Sequence, residues 1–224
     1  MLSVYPSDSA SAALILAHGA GGGQQSRFMV QAATACAERG ITTATFDFPY
    51  MAQGRSVPDK GPVLEAHWRT VIDAARAHAA FARLRQGSGG QAGLPLFIGG
   101  KSMGGRIASQ VAAQHVDGIA GLIYFGYPLH PPGKQDQRRD RHLPEITEPM
   151  LFVQGTRDPF GTADEIRELV PRLNPRATLF AVRDGDHSFG VRVSATGKKP
   201  DAVLIETFDA VASFIQTCAN STFR

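Results

Sequence analysis

The chain has 224 residues, 43% of them hydrophobic and 19% charged, with a formal net charge of +3. That is enough chain to bury a full core, and this balance of apolar and charged residues excludes a disordered or a membrane-embedded chain. A surplus of this size is ordinary, and the one concentrated basic stretch, with Lys134, Arg138, Arg139 and Arg141, has no interleaved aromatic residues, which argues against nucleic acid as a partner.

Residues 1–8 lack a basic segment followed by an apolar one, so no secretory signal is expected, and no apolar stretch reads as long enough to span a bilayer. Cys36 and Cys218 stand alone and far apart, so reduced thiols and a cytoplasmic location are the expectation. Leu14, Ile15 and Leu16 read as a buried strand that enters the glycine-rich loop His18-Gly19-Ala20-Gly21-Gly22-Gly23. Residues 26–39 read as a helix stopped by Gly40, and residues 41–48, rich in β-branched and aromatic types, as a strand closed by Pro49. Pro62 is placed to open a long helix with Leu64, Trp68, Ile72, Ala75 and Ala79 on one face; residues 86–93 form a polar, glycine-rich loop.

Residues 94–98 are the next strand, and Gly100-Lys101-Ser102-Met103-Gly104 leads from it into a helix that buries Ile107, Ala108, Val111 and Ala112. Further strands are expected at 119–125, 150–153 and 177–182, with an irregular stretch at 130–148. Thr162 and Glu165 have capping-box spacing and open a helix that runs to Val170; the last helix covers 202–215. Strands alternating with helices imply one α/β domain, a mostly parallel central sheet covered on both faces, and ligand sites at the carboxyl ends of the strands. No insertion is long enough for a lid domain.

Three chemistry-bearing residues follow strands in the order Ser102, Asp158, His187. Ser102 sits on a strand-to-helix turn whose flanking glycines permit a tight bend, which is the setting of an exposed nucleophile. A hydroxyl needs a base to attack an acyl carbon, and His187 is that base, oriented by Asp158. Asp47, at an earlier strand end, is a second candidate acid, and Asp184 or Asp186 could instead bind His187. Oxyanion donors are expected from the Met103 N–H, at a helix N-terminus, and from the loop after His18, with Ala20 first and Gly21 second. His18 is read as shaping that loop, His67, His78 and His115 as surface or helix-end residues, and His130 and His142 as exposed or lining the entrance. Tyr50, Met51, Tyr127, Leu129 and Phe160 end or follow strands on the active side and are the candidate substrate pocket, while the basic stretch could steer an acidic substrate.

Neither a phosphate-binding nor a dinucleotide loop is present. Pro95 stands where the first would need glycine, and Gln24 where the second would. No Cys/His cluster has metal-ligand spacing, so no metal and no cofactor is expected. The expected partner is a small acyl compound, and oligomeric state is not readable. The competing reading is a hydrolase-like fold used only for protein interaction.

The segments His18-Gly19-Ala20-Gly21, Phe46-Asp47-Phe48-Pro49-Tyr50, Gly99-Gly100-Lys101-Ser102-Met103-Gly104-Gly105-Arg106, Gln154-Gly155-Thr156-Arg157-Asp158 and Gly185-Asp186-His187-Ser188-Phe189 together resemble the α/β-hydrolase superfamily over nearly the whole chain. The likeness is to its compact, lidless, dienelactone-hydrolase-like group, which includes the hydrolase-like domain of an animal chromatin-complex subunit. The resemblance implies an eight-stranded type of sheet trimmed at its N-terminal edge, while the residues themselves point to a serine hydrolase acting on a small or accessible ester or thioester through an acyl-enzyme. Ser102 stands where dienelactone hydrolases carry cysteine, a departure that bears on substrate.

Overall fold

The computed structural model describes residues 1–81 and 93–221. Seven strands form one sheet in the order β1-β3-β2-β4-β5-β6-β7. They are β1 (Leu2–Tyr5), β2 (Ala12–Ala17), β3 (Ile41–Phe46), β4 (Leu96–Lys101), β5 (Ile119–Phe125), β6 (Met150–Gly155) and β7 (Ala177–Val182). Every neighbouring pair is parallel except β1 with β3. The N-terminal edge therefore carries a short antiparallel strand, and among the described residues the sheet has seven strands where the resemblance implied a trimmed eight-stranded one. The expected loop at 86–93 lies almost wholly outside the described residues.

The helices are α1 (Arg27–Glu38), α2 (Pro49–Ala52), α3 (Gly61–Ala77), α4 (Met103–Ala112), α5 (Ala163–Leu169), α6 (Val193–Thr196) and α7 (Pro200–Ser221). The strand expected to run to Phe48 ends at Phe46, because Pro49 opens α2 with its fixed φ instead of merely closing a strand. α5 opens on the expected capping box: the Thr162 hydroxyl accepts from the Glu165 N–H while the Glu165 carboxylate accepts from the Thr162 N–H at 2.8 Å.

The two-residue period of a strand sorts side chains to opposite faces of the sheet. On β2, Ala13, Ile15 and Ala17 join the core under α3, α4 and α5, while Ala12, Leu14 and Leu16 join the core under α1 and α7. On β6, Met150 and Phe152 go to the first core, Leu151 and Val153 to the second. Each fully buried side chain of this size contributes about 1.5–3 kcal/mol. Two-sided burial explains why these strands read as continuous apolar runs and not as alternating ones.

Against the expectation that no apolar stretch is long enough to span a bilayer, α7 contains a 21-residue stretch, Pro200–Asn220, long and apolar enough to cross a membrane by length and composition. In this fold Val203, Phe208, Val211, Ala212, Ile215 and Ala219 pack one face of it against the core it shares with α1. Among the described residues no segment covers the carboxyl ends of the strands as a separate lid domain.

Candidate active site

Ser102 follows β4 and caps α4 with φ 50° and ψ −116°. A positive φ on a non-glycine residue costs on the order of 1–3 kcal/mol and persists only where its surroundings hold it. The Ser102 N–H donates to the Phe125 carbonyl at 2.9 Å, and the Arg106 N–H closes the first helical bond on the Ser102 carbonyl at 3.1 Å, so strand and helix both pin the turn. Its hydroxyl lies 2.9 Å from Nε2 of His187, in the turn after β7. Nδ1 of His187 lies 2.8 Å from Oδ2 of Asp158, in the turn after β6. The structure thus brings together the three residues that the sequence spreads over three strand ends.

Asp158 is 1% exposed and needs donors. Besides His187 it accepts from the Phe160 N–H at 2.9 Å and from the Gln154 side-chain amide at 3.0 Å. Gln154, fully buried on β6, also accepts from the Tyr127 N–H at 2.8 Å and donates to the Gly161 carbonyl at 2.6 Å. Sequence reading passed over Gln154; the available signal was an amide inside an otherwise apolar strand, two residues before a turn that ends in aspartate.

The other carboxylates are engaged elsewhere. Asp47 accepts from the Gln24 N–H at 2.7 Å and ties down the glycine-rich loop. Asp186 closes its own turn by accepting from the N–H groups of Ser188 and Gly190 at 2.8 and 2.9 Å. Asp184 binds Arg192 and Arg157, and the Arg192 guanidinium holds its carboxyl well below the usual range. Asp158 alone of these carboxylates is bonded to His187.

His18 and Tyr50 add to the support that Asp47 gives the glycine-rich loop. Nε2 of the buried His18 accepts from the Phe48 N–H at 3.1 Å, so Nδ1 carries the proton and donates to the Gly19 carbonyl at 2.7 Å. Burial lowers the His18 pKa, consistent with this neutral tautomer. The Tyr50 hydroxyl donates to the Ala20 carbonyl at 3.1 Å, and burial pushes its own pKa up to about 12. With the Gly19 carbonyl turned onto His18, the trans peptide aims the Ala20 N–H the opposite way. Among the described residues neither the Ala20 nor the Met103 N–H has a hydrogen-bond partner. Gly21 is exposed at the loop tip. Removing the support should be costly: His18→Ala is expected to lower kcat about 10²-fold, with KM nearly unchanged, in steady-state assays.

The candidate pocket residues divide. Tyr50, Tyr127 and Leu129 are fully buried in the core under α3 and α4. They do not line an open cleft: the Tyr50 hydroxyl supports the loop and the Tyr127 hydroxyl donates to the Arg139 carbonyl at 2.8 Å. Position after a strand end was right for them, but direction was not, since both rings turn under the loops. Met51 and Phe160 remain partly exposed, and the Phe160 ring lies 4.3 Å from the His187 ring.

His130 is 2% exposed, not on the surface, and packs against Glu165 at 3.0 Å. Arg138 pairs with Asp140, and the cavity bordered by Arg138, Arg141 and Arg172 is also bordered by the carboxylates of Asp136, Asp140, Glu165 and Glu168, so the basic stretch presents mixed charge. Cys36 and Cys218 are unbridged.

The model of an alpha/beta hydrolase domain matches residues 10–216. Solved structures share the fold over nearly the full chain. A serine hydrolase homologue from Coxiella burnetii is 18% identical, with 95% of this chain and 89% of that one covered at a TM-score of 0.70. A dienelactone hydrolase from Anabaena variabilis is 16% identical, with coverage of 96% and 90% and a TM-score of 0.70. A serine hydrolase without lid from Xanthomonas campestris is 19% identical, with coverage of 98% and 88% and a TM-score of 0.66. At these identities the likeness speaks for the fold, and the chemistry must be argued from the residues.

Proposed function

Because this chain belongs to the α/β-hydrolase family, we propose that it is a serine hydrolase that cleaves a small or accessible ester or thioester through an acyl-enzyme. The observation that carries this reading is the unbroken relay from the Ser102 hydroxyl to His187 at 2.9 Å and on to Asp158 at 2.8 Å. His187 takes the hydroxyl proton as Ser102 Oγ bonds to the acyl carbon, then returns that proton to the leaving alcohol or thiol as the C–O or C–S bond breaks. Water, deprotonated by the same imidazole, releases the acid and regenerates Ser102. The Met103 and Ala20 N–H groups stabilise the oxyanion; Gly21 is the alternative second donor.

Met51 and Phe160 are the pocket side chains in this reading. Their partial exposure, on a site with no lid domain over it, favours a small or accessible acyl group over an aggregated lipid. The enzyme so proposed works in the cytoplasm on a soluble substrate and needs neither metal nor cofactor, because the base, the nucleophile and the oxyanion donors are all supplied by the chain.

The test is intact-mass analysis after treatment with a fluorophosphonate. One adduct, mapped to Ser102 and absent from Ser102→Ala, is the expected result, followed by turnover in a screen of short esters and thioesters. A folded protein that takes no adduct would sink the enzymatic reading and leave the fold as an interaction module.

A further inference from the structure

Lys101 immediately precedes the nucleophile, and its side chain does not run to solvent. Its ammonium donates to the main-chain carbonyl of His187. It lies 5.1 Å from the centre of the Phe189 ring and 5.8 Å from that of Phe28 on α1, near enough for cation–π attraction. Gly126, after β5, marks how tightly these groups converge. A Cβ there would meet Lys101 Nζ at 2.9 Å, His187 Nδ1 at 3.3 Å and Asp158 Oδ2 at 3.4 Å, with φ +66°. The positive charge therefore stands beside the His187–Asp158 hydrogen bond, and one strand end carries both the nucleophile and the anchor of its base.

We propose that Lys101 is a positioning residue: its charged ammonium clamps the turn that carries His187, holding the imidazole in line between Ser102 and Asp158. The proposal rests on the serine-hydrolase reading above. A charge-assisted hydrogen bond to a carbonyl is about twice as strong as a neutral one, so the clamp should weaken when the ammonium loses its proton. The titratable groups facing Lys101 among the described residues are Asp158, from the turn after β6, and Asp186 and His187, from the turn after β7; from α1 the Phe28 ring faces it. Burial lowers the Lys101 pKa from 10.5 to about 8, against the attraction of Asp158 and Asp186, which raises it. The sign for stability is then opposite to that for activity. Folding disfavours the ammonium, so between about 8 and 10.5 loss of its proton adds stability from this group while it loosens the clamp. An alkaline fall in rate without unfolding is the signature.

The experiment measures the rate of fluorophosphonate adduct formation on Ser102 from about pH 6 to about pH 10 for wild type, Lys101→Met and Lys101→Arg, with thermal melts alongside. Wild type should lose rate above about pH 8 while staying folded. Lys101→Met, close in shape and uncharged, should be slower on the order of 10- to 100-fold at neutral pH and show no alkaline fall. Lys101→Arg, whose charge persists throughout, should also lack the fall. A Lys101→Met rate within about twofold of wild type, or the same alkaline fall in wild type and either variant, overturns the proposal; should Lys101→Met fail to fold, Lys101→Arg decides alone. A folded wild type that takes no adduct at any pH overturns the hydrolase reading itself, and the proposal with it.

Discussion

Ser102→Ala is expected to abolish fluorophosphonate labelling and to lower turnover of an activated ester by about 10⁴- to 10⁶-fold. His187→Ala should cost as much, and the double variant no more than either single one, because the two residues act as one unit. Asp158→Asn should lose about 10⁴-fold, since an amide can no longer hold the imidazole in the tautomer that presents a free Nε2 to Ser102. Asp47→Asn is the contrast: Asp47 reaches the chemistry only through Gln24 and the glycine-rich loop, so its loss should be far smaller. A His187→Ala protein with wild-type rate would end the triad assignment.

Ser102→Gly separates activity from stability. Turnover should vanish as in the alanine variant, but glycine takes φ 50° without penalty, so the melting free energy should rise by about 1 kcal/mol. Ser102→Ala keeps the backbone strain and should melt close to wild type. The two variants together report how much strain the elbow stores in presenting the hydroxyl.

The legibility of this site in the sequence followed from what each signal depends on. Ser102, Asp158 and His187 were readable because strand ends are marked by apolar runs, and a parallel sheet carries all its strand ends to one edge. Tyr50 and Tyr127 were misassigned to the pocket because a residue's place after a strand says nothing of which way its ring turns, and a phenol can be buried once its hydroxyl finds a carbonyl. β1 escaped notice because its four residues are all half-buried and show no period. Its pairing with β3 is antiparallel and nonlocal, and nothing near it in sequence announces it. Lys101 and Gln154 were missed for a related reason: each works through a partner brought by another strand.

Gly104 joins the fold to the chemistry, and Gly104→Ala should be a severely damaging single methyl. A Cβ at this position would stand 2.3 Å from the Ala17 carbonyl oxygen and 2.6 Å from that of His18, both main-chain atoms at the end of β2. No side chain can rotate away to make room, so α4 must move off the sheet or the end of β2 must shift. The expected loss is about 3 kcal/mol or more in urea unfolding, at the upper end for overpacking. The position also bears on the proposed oxyanion site. α4 begins with the Met103 N–H, the end of β2 leads into His18, Gly19 and Ala20, and their spacing is set by this contact between main chains. Gly104→Ala protein that stays folded at low temperature should therefore label slowly at Ser102, because the two proposed oxyanion donors would no longer converge. Wild-type stability together with wild-type labelling would mean that β2 and α4 are not packed as closely as described.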